Sequence, residues 1–351
     1  MLVDGVNYHS IWRDSATNSI CIVDQRWLPH EFVTCPLTSS NDAMIAIRDM
    51  WVRGAPLIGV TAAYGMAIAM AEDPSDRNLI EAGELLNGAR PTAVNLSWAV
   101  SKIQAGLKLV DKNKRANTAM RLADHMARED VQTNLAIGKH GAEIIKNISH
   151  KKADNEPVRI LTHCNAGWLA TVDRGTATAP MYEAHEQGIQ IEVWVDETRP
   201  RNQGAALTSW ELMNNNIPHT LIVDNAGGHL MQKGFVDICI VGSDRTTATG
   251  DVCNKIGTYL KALAAKDNGV PFYAALPTST IDPLLKDGLS EIPIENRPEK
   301  EVTHIQGVNE DNEIVTVHLC SKNVRALNPA FDVTPKHLVT GLITEQGVII
   351  H

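Results

Sequence analysis

The side chains best suited to catalysis and ligand binding follow an apolar run at positions 236–241. That run has the length of a buried strand, and an amphipathic helical pattern follows the loop after it. The loop holds a carboxylate, Asp244, an amide, Asn254, and an amine, Lys255. Because ligands bind beyond the carboxyl ends of strands in an open α/β sheet, we expect Asp244 to do acid/base chemistry and Asn254 and Lys255 to hold a substrate. The alternative for a lone carboxylate is that Asp244 caps a helix and pairs with Arg245.

A thiol occupies the same kind of position earlier in the chain. Cys164 follows the apolar run Val158–Thr162 and precedes Asn165, where small residues predict the N-terminus of a helix. Such a setting lowers the pKa of a thiol and holds an anion; the alternative is a small buried residue. His163 is adjacent in sequence, and adjacent strand residues point to opposite faces, so a Cys–His hydrolase is not favoured.

Short apolar runs continue to residue 276 and alternate with helical patterns, which is typical of a parallel, doubly wound sheet. The polar residues that end these runs are Cys164, the loop Asp196–Gln203, Asp224-Asn225, Asp244 and Thr278–Thr280. In a parallel sheet they converge on one crevice. A Cys and an Asp there suit proton relocation on a sugar phosphate, which needs an acid and a base but no metal or cofactor. The sequence has no GxGxxG after the first run, no GxxxxGK[ST] and no GxSxG, which argues against dinucleotide, P-loop and nucleophile-elbow sites.

Two cations in the first half are candidates for anion binding. Arg53 precedes Gly54-Ala55 at a break between helical patterns, where a cation beside bare N–H groups suits a phosphate. Arg90 precedes Pro91-Thr92, which we expect to start the next helix. A surface arginine at an elbow between helices is the alternative for both cations.

The elements that must position these residues fall into two groups. Strand-like alternation at residues 5–34 predicts a small antiparallel sheet. Helices are predicted at Ser40–Trp51, with Ser40 or Asn41 as the N-cap, and then at Leu57–Glu72, Asp76–Gly88, Thr92–Val110 and Lys114–Asn147. A polar stretch at residues 150–157 predicts a linker, so we expect domains at 1–150 and 151–351. After the loop of Asp244, the predicted helix has an apolar face of Ile256, Tyr259, Leu260 and Leu263.

Composition excludes several classes of protein. The chain has 351 residues and a formal net charge of −9 without a large basic block, which argues against a nucleic-acid partner. We expect no signal peptide and no membrane span. The six cysteines form no CxxC pair and no regular framework, which favours a reducing cytoplasm. No histidine pair has metal-ligand spacing, so we expect no metal.

Blocks along nearly the whole chain resemble the methylthioribose-1-phosphate isomerase family. They include AIRDMWVRGAPLIGVTAAYG, THCNAGWLATVDRGTATAP, VDETRPRNQGAALTSWEL and VGSDRTTATGDVCNKIGTYLKA. The wider superfamily also holds regulatory subunits of a translation-initiation exchange factor, and the Cys of THCNAG and the Asp of GSDR indicate the isomerase branch. The resemblance implies an α/β fold: a C-terminal Rossmann-like parallel sheet domain, and a smaller, mostly helical N-terminal domain carrying a short antiparallel sheet. It also implies a cytoplasmic homodimer that acts in methionine salvage.

The resemblance assigns roles to matching positions. The reaction would convert S-methyl-5-thioribose 1-phosphate into the ribulose 1-phosphate without a cofactor. Asp244 and Cys164 would be catalytic, and the substrate would be bound by Arg53, Gly54, Ala55, Arg90, Gln203, Asn254 and Lys255. Two alternatives remain at this point: a 5-deoxyribose 1-phosphate isomerase with the same chemistry, and a non-catalytic regulatory subunit.

Overall fold

A computed structural model describes residues 1–90 and 93–350. The predicted helix start at Pro91-Thr92 therefore lies outside the described residues. The helices of the first part of the chain, as far as it is described, are α1 Ser40–Arg48, α2 Ala55–Glu72, α3 Asp76–Ala89, α4 Val94–Leu107 and α5 Lys112–Ser149. It opens with five short strands, β1 Leu2–Val3, β2 Val6–Asn7, β3 Ile11–Arg13, β4 Ile20–Val23 and β5 Thr34–Leu37, of which β3, β4 and β5 form the expected antiparallel sheet.

Local sequence explains where the first helices begin. The N-cap of α1 is Ser39, one residue before the predicted positions, because its side chain and that of Asp42 form a reciprocal capping box. Helix α2 is rich in alanine and glycine, so neighbouring helices approach its backbone closely. By length and composition alone α2 could cross a membrane, but 83% of it is buried inside the protein.

Helix α5 joins the two halves of the molecule. Ala119, Ala123 and Met126 pack into the helical core around α2. Further along the same helix, Ile137 and Ile145 pack into the core beneath the large sheet. Because this one 38-residue helix contributes to both cores, the domain division at residue 150 stays a prediction.

The second part of the chain is built on a seven-stranded sheet with the order β18-β17-β12-β9-β6-β7-β8. All neighbours are parallel except β17 and β18. The strands of this sheet are β6 Val158–Thr162, β7 Ile191–Asp196, β8 His219–Ile222, β9 Ile238–Val241, β12 Phe272–Ala275, β17 Gly341–Thr344 and β18 Gly347–Ile350. The chain runs outward from β6 to β8 and then returns to β9 on the other side of β6. The point where the strand order reverses, between β6 and β9, is where such folds bind ligands.

Helices cover both faces of this sheet. Helices α5 and α6 pack on one face, and α8 and α9 pack on the other. The helices of this part are α6 Ala179–Glu186, α7 Ser209–Asn214, α8 Ala226–Gln232, α9 Thr258–Asp267, α10 Gly288–Glu291 and α11 Lys300–Thr303. The apolar face predicted for α9 is wrong: Tyr259, Leu260 and Leu263 are exposed, whereas Ala262 and Ala265 are buried.

A second, four-stranded sheet with the order β13-β10-β11-β16 lies beside the end of β9. It contains β10 Arg245–Thr247, β11 Val252–Lys255, β13 Ile281–Asp282 and β16 Phe331–Thr334, and a separate hairpin is formed by β14 His304–Val308 and β15 Ile314–His318. The segment predicted as a polar loop after β9 is therefore largely a strand pair. Pairing with β16 explains the difference, because that strand comes from the tail of the chain and lies far from the loop in sequence.

Candidate active site

The two strands at the reversal of the sheet carry the two predicted catalytic residues. Cys164 lies two residues after β6, and Asp244 lies three residues after β9. Both therefore stand beyond the carboxyl ends of the strands that flank the crevice. The sheet topology brings them together although 80 positions separate them in the sequence.

The backbone of Cys164 is held in a tight turn. Its φ is 69°, its N–H donates to Thr198 Oγ1 at 2.8 Å, and its carbonyl accepts from Thr208 Oγ1 at 2.7 Å. The thiol lies 3.5 Å from Gln203 Oε1. No α-helix begins here, since the next one starts only at Ala179, so the predicted lowering of the thiol pKa is wrong. Burial raises the pKa of Cys164, with Asp244 acting in the same direction and the nearby cations opposing it.

Asp244 sits at the start of the strand pair, where its N–H donates to the carbonyl of Cys253 at 2.9 Å. Burial raises the pKa of its carboxyl group against the opposing effect of three cations, Arg90, Arg53 and Lys255. In the described parts of the chain its carboxylate has no hydrogen-bond donor. Arg245 pairs with Asp282 at 2.5 Å instead of with Asp244, so the alternative in which Asp244 pairs with its neighbour is wrong.

The helix break at Arg53 brings a cation and free N–H groups to the same place. Gly54 is the N-cap of α2, and no side chain caps this end of the helix. A side chain at Gly54 would collide with the backbone of Ala170, and its φ of 96° also favours glycine. The N–H groups of Gly54 and Ala55 thus lie at the positive end of an 18-residue helix. Arg53 is buried and donates to the carbonyl of Asn165 at 2.7 Å and to its side-chain Oδ1.

Strand β11 supplies Asn254 and Lys255. The Asn254 amide donates to Thr258 Oγ1 at 3.0 Å. The Lys255 ammonium donates to the carbonyl of Ala330 at 3.2 Å, and burial lowers its pKa. Arg53 and Lys255 are 9% and 6% exposed, and neither forms a salt bridge with a carboxylate of the described residues. Burying two cations without a direct ion pair is costly, and an anionic ligand in contact with both would offset that cost.

Arg90 differs from these two cations because it is paired. Its guanidinium lies 3.1 Å from Glu295, and Glu295 also pairs with Arg297 at 2.8 Å. Arg297 in turn pairs with Glu301 at 2.7 Å, and Glu301 pairs with Arg201 at 3.0 Å. This row of alternating charges connects Arg90, in the helical part of the molecule, to the segment that contains Glu295, Arg297 and Glu301.

All nine predicted site residues line two small adjoining cavities. The first, of about 40 Å³, is lined by Arg53, Gly54, Arg90, Cys164, Gln203, Asp244 and Lys255 among others. The second, of about 30 Å³, shares Arg53, Gly54, Cys164 and Asp244 with the first and adds Ala55 and Asn254. The structure thus brings the predicted set together, and the role of each residue stays a prediction.

Sequence reasoning missed several residues of the first cavity, namely Met50, Arg201, Arg297, Ala330 and Phe331. Arg201 lies in the block VDETRPRNQGAALTSWEL, but it is not among the residues to which the resemblance assigns a role. Arg297 belongs to a stretch of alternating charge, ENRPEKE, and that alternation is the one signal that could have drawn attention to it. The last two enter the site only through the pairing of β16 with β11.

A larger cavity of about 370 Å³ opens beside the first of these two cavities. The two share Met50, Arg53, Arg201 and Gln203. Apolar parts of its wall come from Leu28, Pro29, Met50, Ala206 and Leu207, and polar parts come from Arg26, His30, Lys300 and His304. A group attached to a ligand in the catalytic cavity can therefore extend into a space with an apolar side.

One cluster has the donor types of a metal site, namely His163, Asp196 and Asp224. The ammonium of Lys261 lies within it, 3.1 Å from Asp196 Oδ2, and donates to the carbonyl of Asp224. His163 Nδ1 lies 2.8 Å from the same carboxylate oxygen. A lysine side chain therefore already supplies the positive charge that a metal ion would bring.

Comparisons with known proteins agree on the family. Residues 51–350 match the model of the Initiation factor 2 subunit family. Methylthioribose-1-phosphate isomerase of Sinorhizobium medicae is 59% identical over 348 residues, covering 99% of this chain and 96% of that protein. The enzyme of the same name from Brucella anthropi is 60% identical, with the same coverage.

Solved structures give the same picture. A 5-methylthioribose 1-phosphate isomerase from Pyrococcus horikoshii has a TM-score of 0.82 and 38% identity, covering 98% of this chain and 93% of that one. A structure described as translation initiation factor eIF-2B, subunit delta, from A. fulgidus has a TM-score of 0.80, also at 38% identity, covering 98% and 96%. The chain therefore belongs to the Initiation factor 2 subunit family and, within it, to the methylthioribose-1-phosphate isomerases.

Proposed function

We propose that this protein converts S-methyl-5-thio-α-D-ribose 1-phosphate into S-methyl-5-thio-D-ribulose 1-phosphate, a step of methionine salvage. One observation carries the proposal beyond family membership. Two buried cations that form no salt bridge with the described residues, Arg53 and Lys255, line the same cavity as an acid with a raised pKa, Asp244, and a thiol, Cys164. This is the arrangement that an anionic substrate with a proton to be moved requires.

The phosphate is bound between the two parts of the chain. Its charge is balanced by the guanidinium of Arg53 and the ammonium of Lys255, and the N–H groups of Gly54 and Ala55 at the start of α2 donate to its oxygens. Arg90 adds a further positive charge but shares it with Glu295. The phosphate supplies a negative charge in direct contact with both Arg53 and Lys255.

The chemistry begins with the ring. A phosphate on C1 locks the sugar as a cyclic acetal, so the ring opens only when the bond between C1 and the ring oxygen breaks. Asp244 gives its proton to the ring oxygen, and the hydrogen on C2 moves to C1. The proton on the C2 hydroxyl then returns to Asp244 as the C2 carbonyl forms. The enzyme ends in its starting state, and no redox partner is required.

Cys164 supports this step as a neutral thiol. Burial raises its pKa, so the S–H group stays intact near neutral pH and can donate a hydrogen bond to an oxygen of the substrate. Gln203 Oε1, 3.5 Å from the sulfur, accepts that hydrogen in the absence of substrate. Asn254 and Gln203 bind the sugar hydroxyls.

The substituent on C5 occupies the larger neighbouring cavity, against Leu28, Met50 and Leu207. A methylthio group has more apolar surface to bury there than the hydrogen of a 5-deoxyribose. A hydrophobic pocket discriminates between such groups by only ~10- to 200-fold. Both compounds are therefore expected to react, with the methylthio compound preferred.

The test is the kcat/KM of the purified, chelator-treated protein on both sugar phosphates. We expect turnover without added metal and a higher value for the methylthio compound. A higher value for 5-deoxyribose 1-phosphate would reassign the substrate. No turnover of either compound by a folded protein would instead favour the regulatory-subunit alternative, which the similarity to the eIF-2B subunit delta structure raises.

We propose that the protein is a cytoplasmic homodimer that acts without a nucleic-acid or membrane partner. Six free cysteines suit a reducing compartment. Helix α9 carries Leu260, which is 60% exposed, beside Tyr259 and Leu263, and such an apolar face suits contact with a second copy. Light scattering on the purified protein and on Leu260→Glu tests this: the variant should become monomeric if α9 lies in the interface.

A further inference from the structure

A buried carboxylate outside the catalytic cavity has no role in the proposed mechanism. Glu211, on α7, is fully buried. Its oxygens accept from the amide of Asn165 and the N–H of Leu169, both at 2.9 Å, from the N–H of Trp168 at 3.1 Å, and from the hydroxyl of Tyr182 at 3.2 Å. Burial raises its pKa to about 7 despite these four donors. Burying such a carboxylate is costly unless it is hydrogen-bonded, and its four donors identify the groups whose positions depend on it.

The partner that connects Glu211 to the site is Asn165. Its Oδ1 and its carbonyl both accept from Arg53. Because the guanidinium donates to Oδ1, the amide nitrogen of Asn165 must face the other way, toward Glu211 and Thr208 Oγ1. Glu211 therefore fixes the orientation in which Asn165 presents both of its oxygens to Arg53.

The loop is built closely around this carboxylate. A side chain on Gly167 would collide with the Glu211 carboxylate. The arrangement therefore has little room to rearrange, and the geometry at Arg53 depends on what occupies position 211.

Placing a neutral amide between the two charges has a chemical consequence. If Glu211 touched Arg53 directly, the ion pair would neutralise the cation that a phosphate needs. Asn165 transmits the orientation, while Glu211 acts on the charge of Arg53 only at longer range and does not pair with the guanidinium directly.

We propose that Glu211 is a positioning residue for anion binding, which acts through Asn165 to hold Arg53 in place. This proposal rests on the proposed function, in which Arg53 binds the phosphate of the substrate. It implies that Glu211, on α7 of the C-terminal part, contributes to the affinity for an anion at the helix break of the N-terminal part.

The test is the Kd of the full-length protein for inorganic phosphate, measured by calorimetry. The variant Glu211→Gln keeps the shape but turns one oxygen into a donor that faces other donors. We expect it to weaken phosphate binding by at least ~10-fold. The matched control is Tyr182→Phe, which removes a donor from Glu211 but leaves the link to Asn165, and we expect its Kd to stay within about twofold of the wild type.

A double-mutant cycle separates positioning from general disruption. In an Arg53→Met background, Glu211→Gln should cause no further loss of phosphate affinity, whereas a merely structural role would cause the same loss in both backgrounds. If Glu211→Gln does not fold, Asn165→Ala cuts the same link while three donors to Glu211 remain, and it should weaken phosphate binding equally.

Each outcome is decisive. A wild type that binds phosphate beside a Glu211→Gln variant with unchanged affinity overturns the positioning role and leaves the proposed function standing. Equal losses with and without Arg53 also overturn it. A wild type that neither binds phosphate nor turns over the sugar phosphate overturns both.

Discussion

Two buried polar clusters lie around the carboxyl end of β6, and they differ in how their charges are balanced. In the first, Asp196 pairs with Lys261 and accepts from His163, whose other ring nitrogen lies 2.8 Å from the carbonyl of Ile256. In the second, the hydrogen-bond partners of Arg53 and Lys255 among residues 1–90 and 93–350 are neutral oxygens of Asn165 and Ala330. The clusters are adjacent in sequence, since His163 belongs to one and Cys164 to the other.

The comparison teaches that burial of charged groups does not by itself indicate function. In the His163 cluster the carboxylate of Asp196 has a charged partner, Lys261, within the protein, so we expect this cluster to stabilise the fold. The Cys164 cluster is unbalanced, so it is completed only by a ligand. Variants in the two clusters should therefore have opposite effects on stability and on catalysis.

The largest effect is expected for Asp244→Asn. The amide keeps the shape but has no proton to give to the ring oxygen, so kcat should fall by ~10³-fold or more while the substrate still binds. Steady-state kinetics and calorimetry of substrate binding measure the two quantities. Asp311→Asn, in the exposed turn of the β14–β15 hairpin, is the control and should leave both unchanged. Near-normal turnover by Asp244→Asn would remove Asp244 from the mechanism.

The variant Asp196→Asn probes the balanced cluster. It leaves the buried Lys261 without its counter-charge, which should cost about 3–5 kcal/mol of unfolding free energy. Urea denaturation followed by circular dichroism gives that value. The kcat of the folded fraction should change by less than about threefold, because no atom of Asp196 lines the catalytic cavities. A loss of kcat without a loss of stability would reverse the assignment of the two clusters.

The variant Lys255→Met should do the opposite. It removes a buried cation that forms no salt bridge within the described part of the chain, so the free energy of unfolding should stay level or rise. The phosphate loses a charged donor, so KM should increase by roughly 10- to 100-fold. Kinetics and denaturation on the same preparation test both halves of this prediction. Lys266→Met, at the exposed end of α9, is a matched control that should change neither quantity.

The features that could be predicted from the sequence are those that residues close together in the chain determine. The parallel sheet and the convergence of Cys164 and Asp244 follow from short-range alternation and the rule for strand ends, and the structure shows both. The helix predicted after Cys164 does not form there, because the loop wraps around Glu211, which is distant in sequence. No sequence pattern near Cys164 indicates that this loop will bind Glu211.

The misassigned face of α9 has a similar cause. Its buried side holds small residues and Lys261, which reaches the carboxylate of Asp196. A search for apolar periodicity selects Leu260 and Leu263 instead, which are exposed. Because the buried Lys261 is polar and the exposed Leu260 and Leu263 are apolar, the hydrophobic pattern of α9 predicts the wrong buried face. Hydrophobic periodicity also does not identify Arg297 as a site residue, since its position there depends on ion pairs with Glu295 and Glu301.

The smallest expected effect is a pH dependence of kcat/KM and of stability that arises from Asp244, in the Cys164 cluster. Burial raises the pKa of Asp244, so the acid form is lost, and kcat/KM falls, as pH rises through that raised value. The same shift means that the folded protein binds this proton more tightly than the unfolded chain does. Its stabilising contribution is therefore present at low pH and disappears as pH rises from the ordinary carboxyl pKa to the raised one. Asp244→Asn removes this dependence, so its denaturation midpoint should move above that of the wild type with increasing pH. A constant difference between the two midpoints from acid to neutral pH would show that Asp244 titrates normally, and it would place the acid of the reaction elsewhere in the cavity.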